Sequence, residues 1–275
     1  FIYYQNLRKE IDARQKWLET VLTGEKKWIL ENQGPEGEFY MNGSKAGDVN
    51  PYFACMAALG LLAETEKKAV GRYLDWHTGI LLETDGKMGI YRKKSGKLIY
   101  KEKADSEDGY LGMYLFLMGK YLEKTESTDL PEYWKKGISL ALKKIQSLMQ
   151  DGITQVSEEN TTVYLMDNLE VWKGLYELEH AGLKDVQAIR EMRNKLQAQI
   201  EKLFWDDANQ RWRIIENSDL YHQKEFYPDG VAQIYPLIYE FPVKEKKKQK
   251  ILYKQFTERF QWQKLTKKRN GFLWA

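Results

Sequence analysis

The segment ADSEDGYLGMYL, residues 104–115, indicates how this chain of 275 residues folds. Its first five residues include three acids and a serine, which favour the first turn of a helix because they accept hydrogen bonds from the backbone amides there. The residues that follow are apolar on every helical face. A helix without a polar face is enclosed by other elements, so the segment predicts an inner helix.

Three other segments repeat this opening: DVNPYFACMAAL at residues 48–59, YLMDNLEVWKGL at 164–175 and FYPDGVAQIYPL at 226–237. The lead aspartates of the four segments, Asp48, Asp105, Asp167 and Asp229, follow one another at intervals of 57, 62 and 62 residues. Regular spacing of this kind is typical of a repeated structural unit, here a pair of helices.

Amphipathic segments rich in Lys, Glu and Gln alternate with these inner helices. They lie at residues 66–84, 130–149, 184–204 and 243–261. Amphipathic helices, which have one apolar face and one polar face, form an outer layer. We therefore predict an all-α fold, an (α/α)6-type toroid in which an outer ring of helices encloses an inner ring. We expect the whole chain, residues 1–275, to form one domain.

Two short stretches depart from the helical pattern. At residues 87–100 two alternating runs flank a Lys-Ser-Gly turn, which predicts a β-hairpin, and residues 205–215 predict a second one. We expect about nine helices before Ala275, with the first at residues 7–32, whereas a full ring needs twelve. The predicted toroid is therefore either open or continued beyond Ala275.

The composition excludes several classes of function. The 43 Lys and Arg residues nearly balance 40 Asp and Glu, so the net charge of +3 does not indicate a nucleic-acid partner. The apolar runs are shorter than the roughly 20 residues of a membrane span. The only cysteine, Cys55, lies in an apolar helical stretch and is expected to be a buried, inert thiol.

The acidic helix starts allow two interpretations. Each aspartate alone is explained as a helix N-cap. However, tyrosines and a tryptophan lie beside these acids, and aromatic faces with neighbouring carboxylates suit sugar rings. Because inner helices of a toroid run parallel, their acidic starts are expected to share one rim. Two carboxyl groups across a cleft are what glycosidic cleavage requires, one as proton donor and one acting on water or the sugar.

The four segments resemble the inner-helix segments of six-hairpin glycosidase-like proteins, and more distantly glycoside hydrolase family 8. The resemblance covers about residues 14–262 in the order and type of elements. It implies an (α/α)6 barrel that cleaves β-linked polysaccharides with inversion. The proton donor of that family, a Glu four positions before a Tyr, matches Asp48 before Tyr52. Its substrate-binding Asp matches Asp105 or Asp108, and its base matches Asp229.

Two departures from the family pattern bear on the mechanism. Asp48 stands in place of the family's Glu and has a shorter reach, and the Arg that follows the family's base is replaced by Ala232. We therefore keep a non-catalytic glycan-binding protein as an alternative to a glycoside hydrolase. A sugar epimerase or a polysaccharide lyase is a third possibility, disfavoured because histidines are scarce at the inner helix starts.

The predicted site combines the catalytic pair Asp48, the donor, and Asp229, the base, with a set of sugar-binding or orienting residues. That set is Asp105, Asp108, Tyr52, Tyr110, Asn168, Glu170, Trp172 and Tyr227. We expect a polysaccharide or oligosaccharide as partner and a monomeric protein.

No metal site or cofactor is predicted. The three histidines, His77, His180 and His222, lie far apart without metal-ligand spacing and are expected to have packing or surface roles. Phosphate-loop and dinucleotide fingerprints are missing from the sequence. The chain starts at Phe1 without an initiator Met, which is compatible with a removed secretion signal. A glycan substrate together with such a signal would indicate an extracellular or cell-surface location.

Overall fold

The structure is a computed structural model that describes residues 2–41, 43, 47–63, 65–94, 97–127, 129–216, 225–242 and 246–261. The chain divides into two compact units. The first comprises residues 1–80 and 89–103, and the second comprises residues 81–88 and 104–275. The single domain expected from the sequence stays a prediction.

The described part of the first unit combines three helices with a small sheet. The helices are α1 (Ile2–Glu31), α2 (Pro51–Ala63) and α3 (Lys67–Glu83), whose last residues belong to the second unit. The antiparallel sheet has the order β1 (Asp48–Val49), β2 (Gly89–Lys94) and β3 (Lys97–Lys103). The hairpin predicted at residues 87–100 is therefore confirmed, although Ser95 and Gly96 of its turn lie outside the described residues.

The core of the first unit contains Cys55, Tyr73 and His77, which are fully buried. Burial raises the pKa of the Cys55 thiol to about 12 and lowers the pKa of His77 to about 3. The thiol and the imidazole are therefore neutral at physiological pH. This agrees with the inert cysteine and the packing role expected from the sequence.

In its described residues the second unit contains six α-helices, a helical turn at Phe226–Gly230 and two short hairpins. The helices are α4 (Glu107–Thr125), α5 (Glu132–Leu148), α6 (Leu165–His180), α7 (Gln187–Phe204), α8 (Val231–Ile238) and α9 (Lys246–Phe260). The hairpins are β4 (Met149–Gln150) with β5 (Ile153–Thr154), and β6 (Trp205–Asp206) with β7 (Arg211–Trp212). The second pair confirms the hairpin predicted at residues 205–215.

Glycines allow α4 and α6 to pack with their backbones in contact. A Cβ atom at Gly112 would lie 2.6 Å from the backbone nitrogen of Val171, and one at Gly119 would lie 2.6 Å from the carbonyl carbon of Glu177. Contacts therefore advance along both helices in the same direction, so the helices run parallel. As predicted for inner helices, their N-termini lie at the same end.

Helices α6 and α7 follow the predicted inner and outer classes, whereas the predicted inner helix α8 is buried on one side only and leaves Ile238 exposed. Buried residues of α7 recur at helical spacing on one face: Ile189, Leu196, Ile200 and Phe204. In α6, by contrast, nearly every residue from Leu165 to Leu178 is buried. Within the described part of the chain, no helix combines the length and the hydropathy needed to cross a bilayer.

Candidate functional site

A cavity of about 480 Å³ lies in the second unit, where α4 and α6 begin and the chain turns into α8. Three acids from three different elements line it: Asp105, Asp167 and Asp229. The rest of the lining is Ser106, Asn160, Tyr164, Met166, Ile214, Ile215, Tyr227 and Pro228. The cavity therefore combines carboxyl groups with the side chains of two tyrosines.

The start of α4 is held by Ser106 and not by an aspartate. The Ser106 hydroxyl accepts a hydrogen bond from the backbone N–H of Gly109 at 3.2 Å, as an N-cap does. The same hydroxyl donates to Asp108 Oδ1 at 2.8 Å. Because Ser106 is the cap, the preceding Asp105 remains exposed and projects at the cavity.

The start of α6 is fixed by Asn168, which is fully buried. Its Oδ1 accepts the backbone N–H of Thr154 at 2.9 Å, and its Nδ2 donates to the carbonyls of Thr154 at 3.0 Å and Tyr164 at 2.9 Å. These bonds join α6 to β5. They also fix the backbone beside Asp167, whose side chain is partly exposed to the cavity.

Asp167 has the electrostatic environment of a proton donor. Burial raises the pKa of its carboxyl well above the ordinary value, and the neighbouring acids Asp108 and Glu170 raise it further when they are ionised. A hydrogen bond with Ser106 opposes this rise. The helix N-terminus by itself favours the ionised form. The acidic cluster and the burial overcome that preference, so Asp167 holds its proton to higher pH than an exposed aspartate.

Tyr227 faces the same cluster from the turn at Phe226–Gly230. Burial raises the pKa of its phenol, with smaller contributions from Asp167 and Asp105. The phenol is therefore neutral at physiological pH and can act as a hydrogen-bond donor. Behind the cavity lie the buried Glu170 and Tyr239; burial raises the pKa of the Tyr239 phenol, and the charge of Glu170 raises it further.

Asp229 lies in the turn before α8, where its Oδ2 accepts the backbone N–H of Glu225 at 3.4 Å. Gln233, one turn into the helix, exchanges two hydrogen bonds of 2.9 Å with the backbone of Trp212 and so anchors α8 to β7. Asp229 also lines a second cavity of about 540 Å³. Both cavities include Asp229 and Ile214, so they are neighbours.

Asp48 belongs to the first unit, where it is part of β1. Arg92 donates to its Oδ1 at 2.6 Å and to its Oδ2 at 3.0 Å, and Lys101 donates to Oδ2 at 2.9 Å. These hydrogen bonds lower the pKa of Asp48 to about 2. Such a carboxylate is ionised at any physiological pH, which is the wrong form for the proton donor expected from the sequence.

Several residues predicted to bind sugar have other positions. Trp172 is buried against Phe241 with ring centroids 5.0 Å apart, and Tyr110 is also buried in the core. Asp108, Asn168 and Glu170 lie in the buried layer behind the cavity and do not line it. Asp108, Asn168 and Glu170 therefore fit the orienting role that the sequence analysis allowed, whereas the sugar contacts expected of Trp172 and Tyr110 are corrected to core packing.

The other predicted residues divide between the two units. Tyr227 and Asp105 line the acidic cavity. Tyr52 lies in the first unit, and its backbone N–H is hydrogen-bonded by Asn50 at the start of α2. Asp167 was recognised as a helix start but was given no catalytic role. The acids that raise its pKa come partly from another helix, which local sequence does not reveal.

Metal binding has no support in the described residues, since none of their His, Cys, Asp and Glu side chains form a group of three placed to hold an ion. His77 is buried, and the exposed His180 is hydrogen-bonded to the carbonyl of Tyr176 at 2.7 Å. His222, expected to have a surface or packing role, lies outside the described residues.

No protein-family model matches the chain, and no curated protein matches it significantly. Among solved structures the chain is similar to a wild-type glycosidase, with a TM-score of 0.57 and 13% identity over 73% of this chain and 60% of that one. A variant glycosidase in complex with glucose gives a TM-score of 0.56 at 13% identity, with the same shares covered. A rhamnosidase from Klebsiella oxytoca with rhamnose bound gives 0.55 at 11% identity, over 86% of this chain and 48% of that one.

At these identities the similarity shows the fold alone. It confirms the predicted class, an all-α toroid like that of the glycosidases. The chain spans 60% of the length of the glycosidase structures it matches. The more specific resemblance to glycoside hydrolase family 8 stays a prediction.

Proposed function

We propose that this protein is a glycoside hydrolase whose active site is the acidic cavity at the starts of α4 and α6. One observation carries the proposal: Asp167, with a raised pKa, lines the same cavity as Asp105, Asp229 and two tyrosines. Glycosidases need a carboxyl group that is protonated at working pH and a second one that is ionised. The glycosidase-like fold supports the same conclusion.

In this proposal Asp167 donates a proton to the glycosidic oxygen, because its burial and acidic neighbours keep it protonated. Asp229 keeps the role expected from the sequence, as the base that activates water. Asp105 accepts hydrogen bonds from sugar hydroxyls at the cavity wall. Negative charge around the site also favours the oxocarbenium-like transition state of glycoside cleavage.

The substrate class follows from the two neighbouring cavities. Tyr164 and Tyr227 offer aromatic faces to one sugar ring in the acidic cavity. The second cavity offers Phe256 and Phe260 together with Gln233. Because Asp229 lines both, a substrate spanning them would carry its scissile bond near that residue. We therefore propose an oligosaccharide or polysaccharide substrate, cleaved with inversion.

The test is the release of reducing ends from a panel of α- and β-linked glucans and of rhamnose- and glucose-containing glycosides. We expect Asp167→Asn and Asp229→Asn each to lower kcat by about 10²–10⁴-fold. Asp185→Asn is the matched control. It makes the same change at an exposed residue beyond the C-terminal end of α6, with a φ of 59° that asparagine tolerates. The anomer released first, followed by NMR, tests inversion.

A glycan-binding protein without catalysis is the second candidate, favoured by the loss of Asp48 as a donor. It predicts saturable binding of an oligosaccharide that is weakened by Asp105→Asn, without release of reducing ends. If no glycan of the panel is bound or cleaved, and Asp167→Asn changes nothing, the sugar site itself is wrong.

A further inference from the structure

The hydroxyl of Thr154, behind the cavity, lies within hydrogen-bond distance of two side-chain oxygens but has only one hydrogen to donate. Thr154 Oγ1 lies 2.7 Å from Asp108 Oδ2 and 2.8 Å from Asn168 Oδ1. The threonine has one hydroxyl hydrogen, so it donates to one of these two oxygens only. The other oxygen pair needs a hydrogen from elsewhere.

The orientation of the Asn168 amide settles which oxygen receives that hydrogen. Its Nδ2 donates to two backbone carbonyls, of Thr154 and Tyr164, and its Oδ1 accepts a backbone N–H. If the nitrogen and oxygen of the amide were exchanged, the NH2 group would face the N–H of Thr154 and the amide oxygen would face the carbonyls of Thr154 and Tyr164. Neither arrangement allows a hydrogen bond. Oδ1 is therefore fixed as an acceptor that cannot supply a hydrogen, and the Thr154 hydroxyl donates to it.

Once Thr154 donates to Asn168, its oxygen can only accept from Asp108. The other oxygen of Asp108 already accepts two hydrogen bonds, from Ser106 at 2.8 Å and from the Gly109 N–H at 3.0 Å. The pair between Asp108 Oδ2 and Thr154 Oγ1 is therefore satisfied only by a hydrogen on Asp108.

We propose that Asp108 is a permanently protonated carboxylic acid, and that its neutrality leaves the Ser106 hydroxyl available to Asp167. Asp108 and Ser106 are positioning residues in this proposal, which rests on Asp167 being the proton donor. When Asp167 gives its proton to the glycosidic oxygen, the Ser106 hydroxyl turns from Asp108 to the new carboxylate. Neutral Asp108 tolerates that loss because the Gly109 N–H remains bound to it.

The charges around Asp108 support this state. The titratable groups on α6 beside it are acidic: Asp167 interacts electrostatically with Asp108, and Glu170 lies against Gly109, the next residue. Burial raises the pKa of Asp108 to about 6, although hydrogen bonds from Thr154 and Ser106 oppose the rise. Because the Thr154 hydrogen is committed to Asn168, the largest of these opposing hydrogen bonds disappears and the pKa rises further.

The first test does not depend on activity. NMR of the full chain labelled with ¹³C at aspartate carboxyls would follow Asp108, assigned by the signal that Asp108→Asn removes. We expect the protonated form at pH 6.5. An ionised Asp108 at pH 6.5 would overturn the proposal even if the protein is a glycosidase.

The second test uses the alkaline limb of the pH profile of kcat/KM, which reports the pKa of the donor in the free enzyme. Asp108→Asn removes no charge if Asp108 is already neutral, so the limb should stay in place. A limb shifted to lower pH would mean that an anion had been removed beside Asp167, and the proposal would fail.

Ser106 is tested with variants that keep the helix capped. Ser106→Gly lacks the hydroxyl but is a tolerated N-cap, and Ser106→Thr keeps both functions. We expect Ser106→Gly to lower kcat about tenfold and to move the alkaline limb to higher pH, because the Asp167 carboxylate has lost a donor. Ser106→Thr should restore both. A lower kcat with an unmoved limb would indicate a structural role only.

Discussion

Asp48 and Asp167 are the same residue type in opposite environments. Two cations hold Asp48 as a carboxylate, with a pKa of about 2. Burial and two neighbouring acids raise the pKa of Asp167. The choice of proton donor therefore depends on the neighbours that the fold supplies and not on the distance from a following tyrosine.

We predict that Asp48→Asn changes kcat less than twofold, because the carboxylate serves Arg92 and Lys101. The stability loss should be at most about 1 kcal/mol, since the side chains of these cations are 51% and 33% exposed and solvent screens the pairs. Urea unfolding and the reducing-end assay measure the two quantities. A 10²-fold loss of kcat would return the donor role to Asp48.

The sequence predicts where the acids lie but not their protonation. The intervals between Asp105, Asp167 and Asp229 predict that helix starts recur, and the three residues do line one cavity. The partner that distinguishes Asp108, Thr154, lies 46 residues further along the chain. Similarly, Lys101 lies 53 residues beyond Asp48. Long-range partners of this kind leave no local pattern.

The elements were predictable where periodicity alone determines them. The inner class of α4 and α6, the outer class of α5 and α7 and both hairpins are found as expected, whereas the predicted inner helix α8 is only half enclosed. Helix starts were less predictable, because the expected acidic caps are not the caps. Ser106 caps α4, Asn50 binds the first amides of α2, and the turn at Phe226–Gly230 delays α8 until Val231. In the second unit, Asp105, Asp167 and Asp229 do not serve as caps and are left available to the cavity.

The close packing of α4 and α6 gives a prediction at the level of elements. Gly112→Ala places a methyl group 2.6 Å from the backbone nitrogen of Val171, and neither backbone can move without its helix. We expect a loss of about 3 kcal/mol in the free energy of unfolding. Activity should fall as well, because the two helix starts carry Asp105 and Asp167.

Gly60→Ala is the matched control for that substitution. Gly60 also lies within a helix, α2, but a Cβ atom there meets nothing within 4 Å. Alanine should therefore stabilise the protein by up to about 1 kcal/mol through its higher helix propensity. Equal changes in the free energy of unfolding for the two substitutions would contradict the close backbone packing of α4 and α6 at Gly112.

Across the described chain, some buried charged side chains are paired with opposite charges, and others lie beside like charges. Lys173 is buried and paired with Glu177 and Glu240, each at 2.8 Å, further along α6 from the cavity. At the start of the same helix, Asp167 and Glu170 instead lie beside Asp108. A cluster of like charges lowers the stability of the ionised state, so the dependence of stability on pH reports the cluster.

Asp108→Asn should alter that dependence in a defined window. A carboxyl with a raised pKa in the folded state contributes stability that is fully present below its unfolded pKa of 3.8. The contribution is lost as pH rises through the folded value, about 6 or above. Because Asp108 keeps its proton over this range in our proposal, the wild type should lose about 4 kcal/mol relative to Asp108→Asn between pH 4 and pH 7, or about 1.4 kcal/mol per pH unit.

Asp48 has the opposite sign and a separate window. Its lowered pKa stabilises the fold above pH 3.8 and ceases to do so as pH falls towards 2. Urea unfolding at pH 3, 4, 5, 6 and 7 thus separates the two groups. Asp48→Asn lowers stability by a constant amount above about pH 4, and its effect shrinks only at the acidic end, whereas the effect of Asp108→Asn changes with pH only above about pH 4. Parallel curves for the wild type and Asp108→Asn above pH 4 would show that Asp108 is an ordinary ionised aspartate. The short contact between Thr154 Oγ1 and Asp108 Oδ2 would then need a hydrogen from a group other than the Asp108 carboxyl.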